Sequence, residues 1–321
     1  LAGMHTGGMP GYKTATEEYN NTFDVVTQGT WASGGNMNTG RSMLAGTGQV
    51  TAALAVAGMI PSAPVGYRSQ ATEEYNGTAW TSVTNYPTAV RAGSAAGTQT
   101  AAVVLPGTKA DNSFNAEIYE YDGTNWTEVN ELNTPRAASS SVGTQTAALC
   151  IGGATPTDPW TPKTETEEYD GTNWTAGGAL PAAQAHGDNA ATGTQTAAAF
   201  ATTGFDATYD GSSWTAISAT QLLGSPQTSM MATGDGSGDF YMNGGETPGG
   251  RSGLSGQHYN GTVYATTPTI ATGRNSAACG GTSSAMWIAG GQGPPGAHDA
   301  VNTEEFTAGS TAETGSTIDF D

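Results

Sequence analysis

Short apolar runs recur along the chain, and each follows a polar turn. Three of them are AAVVL at 101–105, AALCI at 147–151 and AAAFA at 197–201, each directly after a Gly-Thr-Gln-Thr sequence. The segments before these turns consist largely of Ala, Ser and Gly. No stretch has the 3.6-residue spacing of apolar positions that is typical of a helix. The pattern therefore predicts an all-β chain of short strands joined by hairpins.

A second hairpin is predicted by a motif that contains tyrosine and tryptophan. The sequence EYDGTNWT at 120–127 recurs unchanged at 168–175, and EEYNGTAWT at 73–81 is closely related. The Asp-Gly or Asn-Gly between the two aromatic residues is the strongest short hairpin signal. Alignment on the first aromatic residue gives seven copies, at Tyr19, Tyr75, Tyr121, Tyr169, Tyr209, Tyr259 and Phe306. The second aromatic is Trp80, Trp126, Trp174, Trp214 or Tyr264, and the first and last copies are degenerate, with Phe23 displaced by one residue and Thr311 in the aromatic position.

Two hairpins per repeat give four strands, which is the composition of a β-propeller blade. The strand rich in Ala and Ser fits next to the axis, where strands crowd together, and the apolar run fits between neighbouring blades. The aromatic strands fit the wider space at the rim. We predict one domain over 1–321, a seven-bladed propeller of four-stranded antiparallel blades. Its predicted blades are 1–30 together with 315–321, 41–84, 91–130, 136–176, 187–218, 228–267 and 274–313.

The predicted ring is closed by the chain ends. The first repeat lacks an innermost strand, and Gly315 to Asp321 is left over after the last repeat. We therefore expect the C-terminal segment to join the N-terminal blade, since this would remove exposed sheet edges.

Composition excludes some functions. The chain has 9 basic and 28 acidic residues and a formal net charge of −19, which disfavours binding to nucleic acid or to an anionic membrane surface. No apolar run is long enough to predict membrane insertion. Cys150 and Cys279 lie in small or apolar surroundings and are predicted to be buried.

Catalytic and metal-binding patterns are weak. The histidines, His5, His186, His258 and His298, share no metal-ligand spacing. Asp235 and Asp239 could contact calcium, although a glycine-rich acidic turn explains them equally well. No cofactor, metal or enzymatic activity is predicted.

The repeat resembles the kelch repeat. The resemblance rests on a basic residue before the first strand, a double glycine after the second, Tyr-Asp on the third and Trp on the fourth, and Pro135-Arg136, Gly152-Gly153, Tyr169-Asp170 and Trp174 carry it best. The blade at 187–217 departs from the pattern, with Thr203-Gly204 at the double glycine and His186 at the arginine. The combination of the sequences GTQTAAL and EEYDGTNWT resembles the repeats of marine bacteriophage repeat proteins. That likeness implies a virion structural or tail-fibre component within a larger assembly.

Long variable segments are predicted to share one face of the propeller, opposite the tight turns. They are 59–70, 108–115, 154–163, 246–256 and 292–300. Variable loops on a rigid scaffold are the usual geometry of a recognition surface. The candidate binding residues on this face are Tyr67, Arg68, Phe114, Trp160, Arg251 and His298. The alternative is that these loops only pack against neighbouring subunits or cover the blade ends.

A second candidate set precedes the innermost strands. It comprises Arg41, Arg91, Arg136 and Arg274, with His186 and Gln227 in the remaining positions. These residues could ring the channel mouth and bind an anion. Alternatively, each arginine pairs with a glutamate of the Thr-Glu-Glu-Tyr motif and holds the blade together, which is the interpretation that we favour because both groups repeat.

These patterns and the two resemblances together suggest three functions. The first is a non-enzymatic virion module of a bacteriophage that binds a host-surface glycan or another virion protein. The second is a secreted or cell-surface bacterial lectin of kelch type, and the third is a carbohydrate-active propeller enzyme.

Overall fold

The described part of the chain folds into six four-stranded antiparallel sheets, here named blades A to F. The structure is a computed structural model, and it describes residues 22–26, 29–60, 68–155, 161–184, 190–202, 205–222, 229–247, 251–293 and 300–315. Every regular element within these ranges is a β-strand. The all-β prediction and the propeller arrangement of four-stranded blades are confirmed.

The strands follow the order of the sequence repeats. The N-terminal strands are β1 (Thr22–Val26) and β2 (Thr30–Ser33). They are followed by β3 (Ala45–Gln49), β4 (Ala52–Val56), β5 (Thr72–Tyr75), β6 (Trp80–Ser82), β7 (Ser94–Thr98), β8 (Ala101–Leu105), β9 (Ile118–Tyr121) and β10 (Trp126–Val129). The central strands are β11 (Ser140–Thr144), β12 (Ala147–Ile151), β13 (Ala154–Thr155), β14 (Thr161–Pro162), β15 (Thr166–Tyr169), β16 (Trp174–Ala176), β17 (Ala191–Thr194), β18 (Ala197–Thr202), β19 (Phe205–Tyr209) and β20 (Trp214–Ala216). The last strands are β21 (Met231–Gly236), β22 (Asp239–Asn243), β23 (Glu246–Thr247), β24 (Arg251–Ser252), β25 (Gly256–Tyr259), β26 (Tyr264–Thr267), β27 (Ala278–Gly281), β28 (Ala285–Ala289), β29 (Thr303–Thr307) and β30 (Thr311–Gly315).

Each blade takes its strands in spatial order from the axis to the rim. Blade A is β3-β4-β5-β6, blade B is β7-β8-β9-β10, blade C is β11-β12-β15-β16, blade D is β17-β18-β19-β20 and blade E is β21-β22-β25-β26. Blade F is β27-β28-β29-β2, so its outermost strand comes from the other end of the chain. Within the same described ranges, three two-stranded sheets lie outside the blades, namely β1-β30, β13-β14 and β23-β24.

The prediction of seven blades is wrong. Within the described residues the expected first blade does not form a four-stranded unit, because β2 is the fourth strand of blade F and β1 pairs with β30. Of the predicted closing segment 315–321, Gly315 pairs with Thr22 of β1, and 316–321 lie outside the described residues.

Six blades form instead of seven because the incomplete first and last copies of the aromatic motif combine into one blade. Trp31 is the cross-strand partner of Phe306, with ring centroids 5.2 Å apart. Tyr169 and Trp174 form the same pair within blade C, at 4.8 Å. The degenerate last repeat therefore lacks its tryptophan because the N-terminal segment supplies it.

The innermost strands form a ring around the axis, with β27 next to β3 and each following blade next to its neighbour. Small side chains are required here, as predicted. A Cβ added to Gly46 would lie 2.6 Å from the Cβ of Ala278 in the adjacent blade. The apolar second strands are buried between blades, as shown by Leu149 and Ile151, which are both 0% exposed.

Tyrosine and glutamate side chains connect successive blades. The Tyr121 hydroxyl donates to Glu74 of the preceding blade at 2.8 Å, and Tyr169 donates to Glu120 in the same way at 3.0 Å. Two further bonds of this kind are Tyr209 to Glu168 and Tyr75 to Glu305, both 2.5 Å. These bonds join blades F, A, B, C and D in series, so the aromatic motif holds the blades together.

Candidate functional site

The hairpin turns lie on one face of the propeller, as the sequence predicts. In blades A, B and C the glycine of the outer turn lies against the threonine of the inner turn. A Cβ on Gly123, for example, would be 3.2 Å from Thr100. We call this the turn face. The opposite side, the loop face, carries the connections between β4 and β5, β8 and β9, and their counterparts.

The axis holds a cavity of about 260 Å³, which opens between the innermost strands. Its described lining is mostly Gly, Ala, Ser and Thr. Two of the hydroxyls are used to join blades, since Thr47 donates to the carbonyl of Gly97 and Thr192 to that of Gly234, each at 2.7 Å. Burial raises the pKa of the lining thiol Cys279 to about 12, so this group is not a thiolate nucleophile at neutral pH.

Three of the predicted arginines are buried in ion pairs. Arg41 binds Glu73 at 2.9 Å, Arg136 binds Glu167 at 2.6 Å and Arg274 binds Glu304 at 2.5 Å. All three arginines are 0% exposed. Burial lowers the pKa of Arg41, and the charge of Glu73 opposes that effect. These three arginines therefore pair with the glutamates of the Thr-Glu-Glu-Tyr motif, which is the second of the two interpretations given for them, and their guanidinium groups are not exposed at the channel mouth.

Each of these glutamates also fixes the connection that leads into its blade. Glu167 accepts hydrogen bonds from the amides of Asn133 and Thr134, at 2.8 and 3.2 Å. Glu73 accepts from two consecutive amides in the corresponding connection of blade A, and Glu304 does so in blade F. A buried carboxylate that is satisfied by one guanidinium and two amides pays little penalty for its burial.

Arg91 differs from the other arginines because the repeat in blade B is shifted by one residue. The isolated β-bridge that Arg91 makes with Thr108 corresponds to the bridge of Ser42 with Met59, so Arg91 aligns with Ser42 and Val90 aligns with Arg41. Val90 is 0% exposed and packs in an apolar cluster, against which Tyr119 also packs. Tyr119 stands at the position of the paired glutamate. In blade B, apolar packing of Val90 and Tyr119 thus takes the place of the arginine–glutamate ion pair. Arg91 lies one residue beyond the position of the paired arginines.

The shifted arginine lies near a second predicted residue, Arg68. An isolated bridge joins Ser69 to Val90, and Arg68 and Arg91 are the next residues beyond it on the two chain segments. Arg91 is half-buried, and its Nη1 contacts the sulfur of Met59 at 3.4 Å. Arg68 is 6% exposed and donates to the side chain of Asn112 at 2.6 Å. Burial lowers the pKa of Arg68, and the positive charge of Arg91 lowers it further.

Of the other predicted residues, Phe114 lies near this pair. Phe114 is half-buried on the same hairpin as Asn112 and bridges Thr108. Arg251 begins the short strand β24. Tyr67, Trp160, His186, Gln227 and His298 lie outside the described residues. The structure therefore brings together Arg68, Arg91 and Phe114 at the boundary of blades A and B.

The two aspartates considered for calcium have protein partners. Asp235 accepts a hydrogen bond from the hydroxyl of Ser283, and Asp239 contacts the imidazole of His258. Among the described residues no group of three or more His, Cys, Asp or Glu side chains could hold a metal ion.

Some structurally important residues escaped the sequence analysis. Gln145, in a turn between strands, donates to the carbonyls of Ala102 and Tyr121 in the preceding blade, at 3.2 and 2.9 Å. Its invariance within the three Gly-Thr-Gln-Thr copies was the available signal. Trp31 was missed because the two aromatic residues of its motif, Trp31 and Phe306, lie at opposite ends of the chain. The available signal was the sequence Thr30-Trp31-Ala32, which is similar to the tryptophan-containing fourth strands of other blades.

No protein-family model matches the chain, and comparison with curated proteins gives no match either. In the part of the chain that the structure describes, no helix has the length and apolar character needed to cross a bilayer.

Proposed function

We propose that this chain is a non-enzymatic binding and structural module of a bacteriophage virion, with a kelch-like propeller whose loop face binds a host-surface glycan or another virion protein. The observation that carries the proposal is the contrast between the two faces. On the turn face the Gly-Thr-Gln-Thr turn repeats in blades B, C and D, and an Asp-Gly or Asn-Gly turn repeats in blades A to E. The loop face varies in length and sequence and holds the grouped candidates Arg68, Arg91 and Phe114.

Kelch-like features at the level of the blade support the family part of the proposal. The double glycines Gly152-Gly153, Gly244-Gly245 and Gly290-Gly291 all have positive φ angles, which other residues adopt with strain. The buried arginines before the innermost strands also repeat with the blade.

Electrostatics favours a partner that is neither nucleic acid nor an anionic bilayer. A net charge of −19 repels both over the range of the Debye length. A glycan or a protein surface that is contacted at a few positions, rather than over a continuous anionic surface, fits this background better.

Purified phage particles can be used to test whether the chain is part of the virion, and host cells can be used to test whether it binds their surface. Labelled antibody against the chain should decorate the particle, and the isolated chain should bind host cells. Phe114→Ala on the loop face should weaken cell binding by about tenfold. The matched variant Thr172→Ala, at an exposed position on the turn face, should bind as the parent does.

Two results would reject the proposal. One is absence of the chain from the particle. The other is cell binding that falls with Thr172→Ala and is unchanged by Phe114→Ala. If the chain is found instead on the surface of a bacterium, the alternative of a kelch-like lectin takes its place.

A further inference from the structure

We infer that Arg91 and Arg68 form a binding site for a single anionic group, a carboxylate or a sulfate, and that the physiological ligand is a glycan that carries such a group. The identity of the ligand rests on the proposed function, because it takes the loop face as a glycan-binding surface. The anion site itself rests on the local geometry.

The first step is the charge of Arg91. Arginine stays protonated in proteins, so this half-buried guanidinium carries a full charge. Within the described residues it forms no ion pair, and its side-chain contact is the thioether of Met59, a weak acceptor. In blades A, C and F the repeat provides a glutamate for its arginine, whereas here the shift by one residue has separated the arginine from that slot.

The second step is the position of Arg68. It lies one residue beyond the Ser69–Val90 bridge, on the opposite segment from Arg91. Like charges that face each other across paired strands are destabilising. An anion between or beside the two guanidinium groups would remove that repulsion and form charge-assisted hydrogen bonds.

The nearest competing carboxylate is Asp111. It is exposed, and its side chain accepts hydrogen bonds from the amide and hydroxyl of Ser113, at 2.9 and 2.5 Å. Its charge acts on Arg68 in the direction opposite to that of Arg91. Glu117, on the same hairpin, is occupied by Lys109 at 3.4 Å and by Thr88 at 2.8 Å. Asp111 should therefore weaken anion binding without abolishing it.

A saccharide is the class of ligand that these surroundings fit. Asn112 and Ser113 are exposed beside the arginines and provide amide and hydroxyl groups, which hydrogen-bond to sugar hydroxyls. Phe114 adds a half-buried aromatic ring on the same hairpin.

The test uses calorimetric titration of the intact chain at low salt with three probes. These are a short oligomer of galacturonic acid, the methyl ester of the same oligomer, and inorganic sulfate. We expect the acid oligomer to bind, the neutral ester to bind at least about tenfold more weakly, and sulfate to bind weakly at the same site. Arg91→Gln should weaken binding of the acid oligomer by about tenfold, and Asp111→Asn should strengthen it.

Lys163→Gln is the matched control. Lys163 also lies on the loop face, where it pairs with Glu165 at 3.5 Å, and its replacement changes the net charge by the same amount as Arg91→Gln. Binding should be unchanged in this variant. Circular dichroism and thermal unfolding would show that each variant folds, and Arg68→Gln provides a second route to the site if Arg91→Gln does not fold.

The outcomes separate the site from the proposed function. Equal binding of the acid and its ester, or equal losses in Arg91→Gln and Lys163→Gln, would overturn the anion site while leaving a loop-face receptor possible. Sulfate binding that depends on Arg91, without binding of the acid oligomer, would support the site and reject the glycan ligand. Host-cell binding that is lost in Phe114→Ala and kept in Arg91→Gln would uphold the function and reject the site's role in it.

Discussion

In blades A, C and F a buried arginine before the innermost strand pairs with a glutamate of the third strand. Arg136 and Glu167 are almost completely removed from water, with exposed fractions of 0% and 3%. Their burial is costly unless every polar atom finds a partner. Glu167 meets that requirement with one guanidinium and backbone amides, so removal of either charge should be far more harmful than loss of a surface pair.

We predict that Glu167→Gln lowers the free energy of unfolding by about 3 kcal/mol, because it leaves the buried charge of Arg136 without a counter-charge. Glu165→Gln is the matched control. Glu165 pairs with Lys163 at the surface, so its loss should cost about 0.5 kcal/mol or less. Chemical denaturation measures both, and similar losses in the two variants would contradict the prediction.

Asp206 should give the stability of the fold a distinct pH dependence. It is 6% exposed and accepts hydrogen bonds from Tyr264 and Gln221. Burial raises the pKa of Asp206 in the folded state, and these hydrogen bonds only partly oppose it. The folded protein therefore holds this proton more tightly than the unfolded chain. Its contribution is most favourable below the ordinary aspartate pKa and is lost as pH rises through the raised folded pKa.

Asp206→Asn should remove that loss of stability on the alkaline side, because the amide stays neutral. Denaturant unfolding between about pH 4 and pH 7 would measure the difference between parent and variant. Asp210→Asn should change the pH profile in the opposite sense. The amides of Ser213 and Ser212 lower the pKa of Asp210, so its favourable contribution is present at neutral pH and lost as pH falls. Parallel profiles for the parent and Asp206→Asn would contradict the assignment.

The inner hairpins do more than reverse the chain. Gln99, Gln145 and Gln195, each in a turn of this kind, reach the carbonyls at the ends of two strands in the preceding blade. Carbonyls between packed sheets need a donor. The glutamine thus links neighbouring hairpins on the turn face, and the repeated turn sequence reflects an inter-blade contact.

We predict that Gln145→Ala destabilises the fold by about 1–2 kcal/mol, because it leaves the carbonyls of Ala102 and Tyr121 without their side-chain donor. Gln49→Ala is the control, since Gln49 is exposed in the inner hairpin of blade A. Its replacement should change stability by less than about 0.5 kcal/mol. Thermal or chemical unfolding of both variants tests this, and equal effects would show that the inter-blade bonds contribute nothing specific.

Blade F, and with it the ring of six blades, is completed by β2, which comes from the opposite end of the chain. β2 covers the outer edge of β29, and Phe306 behind it is 3% exposed. Trp31 also donates to the carbonyl of Pro268 at 3.2 Å, which joins this strand to the connection after blade E. Covering an edge strand in this way protects it from pairing with other molecules.

Deletion of residues 1–33 should therefore lower the midpoint of thermal unfolding by about 5 °C or more and promote self-association through β29. Deletion of residues 1–21, which keeps both N-terminal strands, is the comparison and separates the effect of losing these strands from the effect of losing the segment before them. A peptide of residues 29–37 added to the shorter variant should restore part of the loss. Differential scanning calorimetry and light scattering report on these changes, and an unchanged midpoint without association would rule out a structural role for β2.

Much of the fold could be predicted from the sequence because each repeat contains its own local signals. Asp170-Gly171 specifies a hairpin, AALCI specifies a strand buried on both sides, and the small residues before Gly143 fit only near the axis. The pairing of Arg136 with Glu167 was also predictable, since the two positions repeat together. These features depend on contacts within one blade or between identical neighbours.

Blade number and the grouping of site residues depended on tertiary structure. The last repeat has Phe306 but no tryptophan after it, so from the sequence it could be a degenerate copy or a motif whose tryptophan lies elsewhere in the chain. The pairing of β2 with β29, which places Trp31 opposite Phe306, distinguishes these two cases. Arg91 was assigned to the buried set because local spacing does not reveal a shift of one residue, whereas a shift by one residue in a strand sends the side chain to the other side. The sequence alone determined what each segment could form. The three-dimensional structure decided which distant segments complete one another, because strand register and ring closure are set by packing across the whole molecule.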